Sequence, residues 1–287
     1  TGSMGMVTGL TTEHVEVLTF ADEPLRVGEK VSRSGEILKV PVGEGLLGQA
    51  INSLGASLYQ NKVITGISEY RGINAAPLPI NVRERIKSPL ETGVPTVDLL
   101  VPLGKGQREL IIGDRNTGKT TFVLQSMIYQ AKLGTICIYA GIAKKKHSLK
   151  KVEQLFDRHD VRQNTIIVGS ASSDPIASIY LTPYTAMTIA EYFRDMGKDV
   201  LLILDDLSAH ARYYREVSLL SGKFPGRDSY PGDIFFAHAR LLERAGNFNL
   251  NGQVSSITCL PVAASIEGDL TGYIQTNLMS ITDGHIF

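Results

Sequence analysis

The clearest chemical signal in the sequence is the segment GDRNTGKT at residues 113–120, which matches the pattern GxxxxGK[ST]. Gly113 and Gly118 let the backbone turn so that several N–H groups converge on phosphate oxygens. Lys119 adds a positive charge toward the outer phosphates, and the Thr120 hydroxyl is suited to bind Mg²⁺. The pattern predicts a phosphate-binding loop; the alternative is a chance glycine-rich turn between a strand and a helix.

We expect this loop to contact a nucleotide along its whole length, with backbone amides as the main donors. The positive end of the helix that follows the loop favours a negatively charged ligand at the same place. The candidate nucleotide-binding residues in this part of the chain are Gly113, Asp114, Arg115, Asn116, Thr117, Gly118, Lys119, Thr120 and Thr121.

A second signal is the pair Asp205 and Asp206, which follows the apolar run VLLIL at residues 200–204. A carboxylate at the end of a strand that neighbours a phosphate-binding loop typically holds the ligand shell of Mg²⁺. We therefore predict a metal site formed by Thr120 and Asp205, with Asp206 as a hydrogen-bonding neighbour. The alternative is that these acidic residues only cap the helix that follows.

The elements that position these residues are apolar strands alternating with amphipathic helices from Gly104 onward, a pattern typical of βαβ units and a largely parallel sheet. The predicted strands lack polar alternation, as expected for strands that are covered on both faces. The predicted strands are 109–112, 136–140, 165–169, 200–204 and 256–262, and the predicted helices are 119–133, 149–158, 184–196, 208–220 and 234–244.

Composition excludes several classes of function. The chain has 287 residues, 43% of them hydrophobic, and its 29 basic side chains balance 29 acidic ones. A net charge of zero argues against nucleic acid or an anionic membrane surface as a direct partner. No apolar run approaches the roughly 18 residues of a membrane span, and no signal-peptide pattern opens the chain. We expect a cytoplasmic protein in which Cys137 and Cys259 stay reduced, and the six histidines show no metal-ligand spacing.

Four longer blocks of sequence resemble the α subunit of F-type ATP synthases. They are ETGVPTVDLLVPLGKGQRELIIGDRNTGKT at 91–120, AEYFRDMGKDVLLILDDLS at 190–208, PGRDSYPGDIFFAHARLLERAG at 225–246 and TNLMSITDGHIF at 276–287. The similarity extends over nearly the whole chain. The combination of GDRxTGKT with DDLS favours the α subunit over the catalytic β subunit.

The resemblance implies an α/β fold, a RecA-like P-loop domain with a mainly parallel sheet, preceded by a partial small β-barrel. In that family such domains form a hexameric ring in which α-type and β-type subunits alternate around a central rotating shaft. The α-type site binds ATP or ADP with Mg²⁺ but does not turn it over. The implied function is a non-catalytic subunit of a proton-coupled ATP synthase, in the soluble cytoplasmic sector of a complex that reaches the membrane only indirectly.

The resemblance also divides the chain into segments. Residues 1–4 are expected to be an expression remnant, 5–65 an incomplete β-barrel, 66–95 a linker, and 96–287 the RecA-like domain. The family's adenine-contacting residues, its carboxyl-terminal helical domain and the arginine that it inserts into the neighbouring site are expected to lie beyond Phe287. An unpaired sheet edge near residues 14–40 is expected to favour self-association.

The chain departs from the family at Lys144, where the resemblance implies a water-polarising Glu in β subunits and a Gln in α subunits. A protonated ammonium can donate to a γ-phosphate but cannot accept a proton from water. We therefore count Lys144 among the nucleotide-binding residues, assign no catalytic residue and expect hydrolysis by the isolated chain to be absent or very slow. The alternative is that Lys144, Lys145 and Lys146 form a solvated basic face at the start of the next helix.

Three smaller features bear on the same resemblance. Asn116 replaces a Gln of the family with a shorter amide that keeps the same donors and acceptor. Ala264 stands where the family has a Glu, so one polar contact to the metal's water shell is expected to be missing. The turn-rich segment at residues 224–233 resembles the family loop that faces the shaft or a neighbouring subunit, the alternative being a rigid surface turn.

Other functions stay open at this stage. One is an autonomous NTPase of the export-ATPase type that uses another carboxylate as its base, for which Glu267 is the candidate. Another is an α-like subunit of a divergent F-type-like motor. A third is a nucleic-acid motor related to hexameric helicases, which the zero net charge and the lack of a strongly basic aromatic surface disfavour.

Overall fold

The computed structural model of the chain describes residues 4–21, 25–59 and 63–287, so residues 1–3 of the expected expression remnant lie outside it. The described residues form 14 β-strands and seven α-helices. The strands are β1 (Gly5–Leu10), β2 (Val15–Thr19), β3 (Lys39–Val42), β4 (Ala50–Ile51), β5 (Glu69–Gly72), β6 (Pro89–Leu90), β7 (Leu103–Gly104), β8 (Glu109–Gly113), β9 (Ile136–Lys144), β10 (Thr165–Ala171), β11 (Val200–Asp205), β12 (Gly246–Leu250), β13 (Gln253–Ala264) and β14 (Gly284–Ile286). The helices are α1 (Pro95–Leu100), α2 (Lys119–Lys132), α3 (Lys146–Arg158), α4 (Ile176–Asp195), α5 (Leu207–Leu220), α6 (Ile234–Leu242) and α7 (Tyr273–Ile281).

One large sheet organises the fold. It has eight strands in the order β14-β8-β13-β11-β9-β10-β4, with β12 paired to β13. Every pair along that order is parallel, and only the β12–β13 hairpin is antiparallel. The predicted α/β class with a mainly parallel sheet is therefore confirmed. The carboxyl ends of β8 and β11, where Gly113 and Asp205 lie, are separated by β13 alone.

Apolar side chains cover this sheet on both faces. Alternate residues of a strand point to opposite faces, and on β9 the even-numbered Ile136, Ile138 and Ala140 belong to one apolar layer while Cys137 and Tyr139 belong to the other. The first layer packs against α4, most of whose residues are buried, and the second packs against α2 and α3. Burial on both faces explains why the strands of the sequence lack polar alternation.

Two elements extend beyond their predicted bounds. β9 continues to Lys144, four residues past the predicted end at Ala140. α4 begins at Ile176, although the sequence pattern predicts a start just after Pro183, because proline usually ends or kinks a helix. Here burial of Ile179 and Leu181 on the first turns offsets the loss of a backbone donor.

The β12–β13 hairpin was missed by the sequence analysis. Its turn contains Asn251 and Gly252, both with positive φ, of 55° and 87°. Asn-Gly is the strongest short-range hairpin signal, since both residues tolerate the left-handed region that a tight turn requires. The signal was therefore present in the sequence and could have been used.

Three two-stranded antiparallel sheets accompany the large one in the described part of the chain. β1 pairs with β2, β3 with β5, and β6 with β7. The β1–β2 hairpin leaves Val7, Leu10 and Val15 more than half exposed. The expected self-association of this edge stays a prediction. The predicted domain bounds and the incomplete barrel also stay predictions. In the described part of the chain, no helix is both long and apolar enough to cross a membrane.

Candidate functional site

The phosphate-binding loop connects β8 to α2 through two residues with positive φ. Gly118 has φ 101° and Asn116 has φ 64°. Glycine reaches this left-handed region without steric cost, and asparagine tolerates it better than most residues. A Cβ at Gly118 would meet no atom within 4 Å, so the requirement for glycine comes from the backbone angle rather than from crowding. The residues from Arg115 to Gly118 are exposed.

Asp114 anchors the loop to the segment that follows β13. Its Oδ1 accepts a hydrogen bond from Ser265 Oγ at 2.6 Å, and its carboxylate accepts another from the Gly268 N–H at 3.0 Å. These hydrogen bonds, led by the one from Ser265, lower the pKa of Asp114. Ser265 and Gly268 lie about 150 residues away in the sequence, and no local pattern could have identified them as supports of the loop.

Lys119 is directed back along the loop. Its Nζ donates to the carbonyl of Gly113 at 2.6 Å and also to the carbonyl of Asp114. Burial lowers the pKa of Lys119, while the neighbouring carboxylates of Asp206 and Asp205 act against that effect. The structure thus places a cation inside the turn of the loop, where phosphate oxygens would be held by the motif.

Asp205 is the centre of a group of polar side chains at the carboxyl edge of the sheet, which we call the edge cluster: Thr120, Tyr139, Lys144 and Asp205. Asp205 is only 1% exposed. Its Oδ2 accepts hydrogen bonds from Thr120 Oγ1 at 2.9 Å and from Tyr139 Oη at 2.8 Å. Its Oδ1 accepts one from Lys144 Nζ at 2.6 Å. Both carboxylate oxygens therefore have partners, and the charge of Asp205 is compensated.

Tyr139 was not identified from the sequence. It lies on β9 and is 1% exposed. Burial, together with the negative charge of Asp205, raises the pKa of Tyr139 well above its ordinary value, so the phenol remains a neutral donor. A tyrosine in a buried strand needs a partner for its hydroxyl. That rule was the available signal, although it does not say which partner is used.

Lys144 reaches Asp205 because the end of β9 is irregular. Ala143 has φ 52°, and the β9–β10 register shifts between the pairs Gly169–Gly141 and Ala171–Lys144. Such bulges redirect side chains at strand ends. The side chain of Lys144 is 22% exposed, whereas Lys145 and Lys146 are exposed at the start of α3. The alternative of a solvated basic face thus describes Lys145 and Lys146 but not Lys144.

Asp206 has a different task from Asp205. Its side chain accepts a hydrogen bond from the Ala209 N–H and so caps the amino end of α5. Burial raises the pKa of Asp206, and the positive charge of Lys144 opposes that rise. The helix-cap alternative from the sequence therefore applies to Asp206, while Asp205 is directed at Thr120.

The remaining predicted positions are placed as follows. Thr121 is exposed on the first turn of α2. Ala264 ends β13, where its N–H donates to Ser208 Oγ at 3.0 Å and its carbonyl accepts from Gln275 at 2.6 Å. Glu267 is exposed, with φ 53°, on the turn that presents Gly268 to Asp114. The structure thus gives Glu267 a position in a surface turn.

The edge cluster has the donor types that Mg²⁺ prefers, a hydroxyl and a carboxylate. However, the ammonium of Lys144 already compensates the charge of Asp205 through its contact with Oδ1. The chemistry of the donors fits a magnesium ion, and the electrostatics of the cluster oppose one. Among residues 4–21, 25–59 and 63–287, no group of three or more His, Cys, Asp or Glu side chains is arranged to hold a metal.

A cleft of about 740 Å³ opens beside the edge cluster. Lys144 and Asp206 line it together with residues of α5, including Arg212, whereas residues 113–120, all of them described, do not. Lys144 therefore lies between this cleft and the carboxylate of Asp205.

Comparisons with known proteins are consistent with this geometry. A family model described as the ATP synthase alpha/beta family, nucleotide-binding domain, matches residues 93–287. The chain is 42% identical over 287 residues to the ATP synthase subunit alpha of Sulfurovum sp. (strain NBC37-1), and 43% identical over 287 residues to that of Dictyoglomus turgidum. Both matches cover 100% of this chain but only 57% and 56% of the relatives, so the chain spans somewhat more than half of their length.

Proposed function

The chain belongs to the ATP synthase alpha/beta family, and from that premise we propose that it is an alpha-type unit that holds ATP or ADP without hydrolysing it. The resemblance stated from four blocks of sequence is confirmed by the family model and by two relatives that are named as alpha subunits. Because the chain spans only part of those relatives, its nucleotide, its partners and its role in a larger assembly are proposals.

The nucleotide is placed with its phosphates against the loop from Gly113 to Thr120. Three features support this placement: the left-handed backbone at Gly118, the ammonium of Lys119 inside the turn, and the amino end of α2. Backbone amides and a helix amino end together favour a polyanion. Residues 114–117 and Thr121 complete the proposed binding surface around the phosphates.

Mg²⁺ is proposed to accompany the nucleotide. The Thr120 hydroxyl and the Asp205 carboxylate are the groups that would hold its ligand shell, and the ion would supply charge neutralisation to the outer phosphates. The residues themselves would orient the phosphates, and Asp205 is held in place by the hydrogen bonds that its two oxygens accept from Thr120, Tyr139 and Lys144.

The contact between Lys144 and Asp205 is the main support for the expected absence of hydrolysis. A general base must accept a proton from the attacking water, and an ammonium paired with a carboxylate cannot. Lys144 stands at the position where the resemblance implies a Glu in the catalytic subunit. We therefore assign no catalytic residue to the chain. The names of the relatives do not favour the export-ATPase alternative.

The proposed partners are β-type subunits and the central shaft of an F-type complex. A group of exposed large apolar side chains in one part of the chain supports a protein partner, because exposed apolar side chains are covered at interaction sites. It lies at the end of α5, in the turn-rich segment that follows and at the start of α6, and comprises Leu219, Leu220, Phe224, Phe235 and Phe236. In the proposed assembly the chain is cytoplasmic, contacts no nucleic acid and meets the membrane only through the complex.

Calorimetry combined with a phosphate-release assay tests this function. We expect the chain to bind ATP and ADP in the presence of Mg²⁺, with no steady release of phosphate, with or without single-stranded RNA. Lys119→Ala should lower the affinity about tenfold to hundredfold, the scale of one charge-assisted hydrogen bond. Lys132→Ala, at the exposed far end of α2, is the matched control and should change nothing. Turnover at ordinary enzyme rates, or failure of the chain to bind either nucleotide, would contradict the proposal.

A further inference from the structure

We propose that the ammonium of Lys144 takes over much of the charge compensation that a divalent cation would provide at Asp205. The nucleotide site then binds the phosphates of a nucleoside di- or triphosphate with little dependence on Mg²⁺. This inference rests on the proposed function, since it concerns how the same site holds its ligand. The residue at position 144 thereby determines whether the site accepts metal-free nucleotide as well as its magnesium complex.

The geometry of the ion pair is the first argument. Lys144 Nζ lies 2.6 Å from Asp205 Oδ1, while Thr120 and Tyr139 hold Oδ2. The hydroxyl donors fix the carboxylate in one orientation, and the ammonium occupies the remaining oxygen. A cation that approached Asp205 would meet a carboxylate that already accepts three hydrogen bonds, and a positive charge beside it.

The exposure of the two partners is the second argument. The Asp205 side chain is 2% exposed and that of Lys144 is 22% exposed. An ammonium has three N–H donors and no acceptor, so the contact with Asp205 uses one donor and leaves capacity for an anion. A flexible point charge of this kind is suited to an oxyanion whose position is set by other groups.

The local balance of charge is the third argument. Lys119 and Lys144 repel each other, and each is attracted by the carboxylates of Asp205 and Asp206. With an amide at position 144, Asp205 would keep its full charge beside the incoming phosphates, and like charges at that distance repel. A divalent ion would then be required to bridge them. With lysine, the repulsion is already compensated before the nucleotide arrives.

The test measures ATP affinity by calorimetry in excess Mg²⁺ and in excess EDTA, with the protein and three variants. Lys144→Gln removes the charge and keeps a donor; Lys144→Arg keeps the charge. Lys145→Gln is the matched control, because Lys145 is the exposed neighbour at the amino end of α3. Circular dichroism and thermal unfolding verify that each variant is folded.

The unaltered protein and the Lys144→Arg and Lys145→Gln variants should lose less than about threefold in affinity when Mg²⁺ is replaced by EDTA. Lys144→Gln should lose about tenfold or more, the scale of one charge-assisted contact. The inference is overturned if the unaltered protein loses its affinity in EDTA as completely as Lys144→Gln does, or if the two keep the same affinity. Such results leave the proposed function intact, whereas no binding in either condition ends both.

Discussion

Two buried ion pairs in this molecule are built in opposite ways. Lys144 and Asp205 meet at the carboxyl edge of the sheet through a single contact, with the ammonium partly open to solvent. Glu191 on α4 meets Arg244, which follows the end of α6 and is 2% exposed. The first pair lies where a ligand is expected, and the second lies against α4 with both side chains buried.

The second pair is held by several hydrogen bonds in fixed directions. Arg244 donates to both oxygens of Glu191, at 2.9 and 2.5 Å, and further to Thr188 Oγ1 and to the carbonyl of Ile73, each at 2.9 Å. A planar guanidinium suits this forked arrangement, and its bonds tie α4 to the segment after β5. We call Glu191 and Arg244, together with the nearby buried pair His210 and His238, the core cluster.

Burial of a charge therefore does not by itself indicate function. An ion pair in which the cation donates several hydrogen bonds in fixed directions stabilises one arrangement of helices. An ion pair between a fixed carboxylate and a flexible, partly exposed ammonium can exchange partners when an anion or a metal ion binds. Four predictions test this contrast.

The largest effect is expected at Arg244. Arg244→Ala leaves Glu191 charged and buried without its main partner, so the free energy of unfolding should fall by about 3–5 kcal/mol. Chemical denaturation at neutral pH measures it. Arg240→Ala, an exposed arginine at the same end of α6, should change the stability by less than about 0.5 kcal/mol. Equal effects of the two substitutions would remove the distinction between the clusters. Added nucleotide should stabilise the Arg244→Ala variant and the unaltered protein by the same amount.

The histidines of the core cluster give the second effect, a loss of stability in acid. His210 Nε2 lies 3.1 Å from the carbonyl of Tyr180 and so carries the proton, and His210 Nδ1 then accepts from His238 Nε2 at 3.1 Å. Burial lowers the pKa of His210 from 6.5 to about 4, and burial also lowers the pKa of His238. The unfolded chain therefore binds protons at a higher pH than the folded chain does.

Stability should be full above about pH 6.5 and should fall between pH 6.5 and 4, by roughly 3 kcal/mol for His210 alone. Denaturant midpoints across this range, compared between the unaltered protein and His210→Gln, isolate the contribution, since Asp206 with its raised pKa acts in the opposite direction. His14→Gln, on the exposed β1–β2 turn, is the control. A slope that is unchanged in His210→Gln would contradict the assignment.

The third prediction concerns the edge cluster without nucleotide. Lys144→Gln should lower the free energy of unfolding by about 1–2 kcal/mol, because the new amide can replace only part of the contact to Asp205. Mg²⁺ alone should restore much of that loss, because a cation that binds only the folded state stabilises it. Thermal unfolding with and without Mg²⁺ measures both effects. Mg²⁺ should leave the stability of Arg244→Ala unchanged. Stabilisation of both variants, or of neither, would contradict this prediction.

The smallest effect is expected where the loop is tied to the segment after β13. Ser265→Ala removes the hydrogen bond to Asp114 but leaves the one from Gly268. Nucleotide affinity should fall by less than about tenfold, the scale of a single hydrogen bond, with little change in global stability. Calorimetry measures the first quantity and denaturation the second. Ser280→Ala, on the surface of α7, is the control, and an effect as large as that of Lys119→Ala would show that the tie holds more than the loop.

Local rules explain which of these features could be predicted from the sequence. The loop backbone follows from glycines that tolerate positive φ, and the position of Asp205 follows from its place at the end of an apolar strand. Parallel topology follows from strands without polar alternation. All of these depend on residues that are close in sequence.

The features that could not be predicted depend on distant or irregular backbone. The reach of Lys144 needs the positive φ of Ala143 and a shifted register with β10, neither of which has a sequence signature. The tie of Asp114 to Ser265 joins residues 151 positions apart. The early start of α4 arises from burial that outweighs the usual effect of Pro183. Tertiary packing decided each of these, and the fold had to be known first.

The tie at Asp114 also limits how much of the loop must come to order when a ligand arrives. With Asp114 held and α2 beginning at Lys119, only the four residues 115–118 lie between fixed points. Restricting a backbone costs about 1–2 kcal/mol per residue, so the entropic penalty of capture is confined to a short arc. The binding site for a phosphate chain is thus largely formed before the ligand binds. We expect the rate of binding to be limited by diffusion more than by closure of the loop.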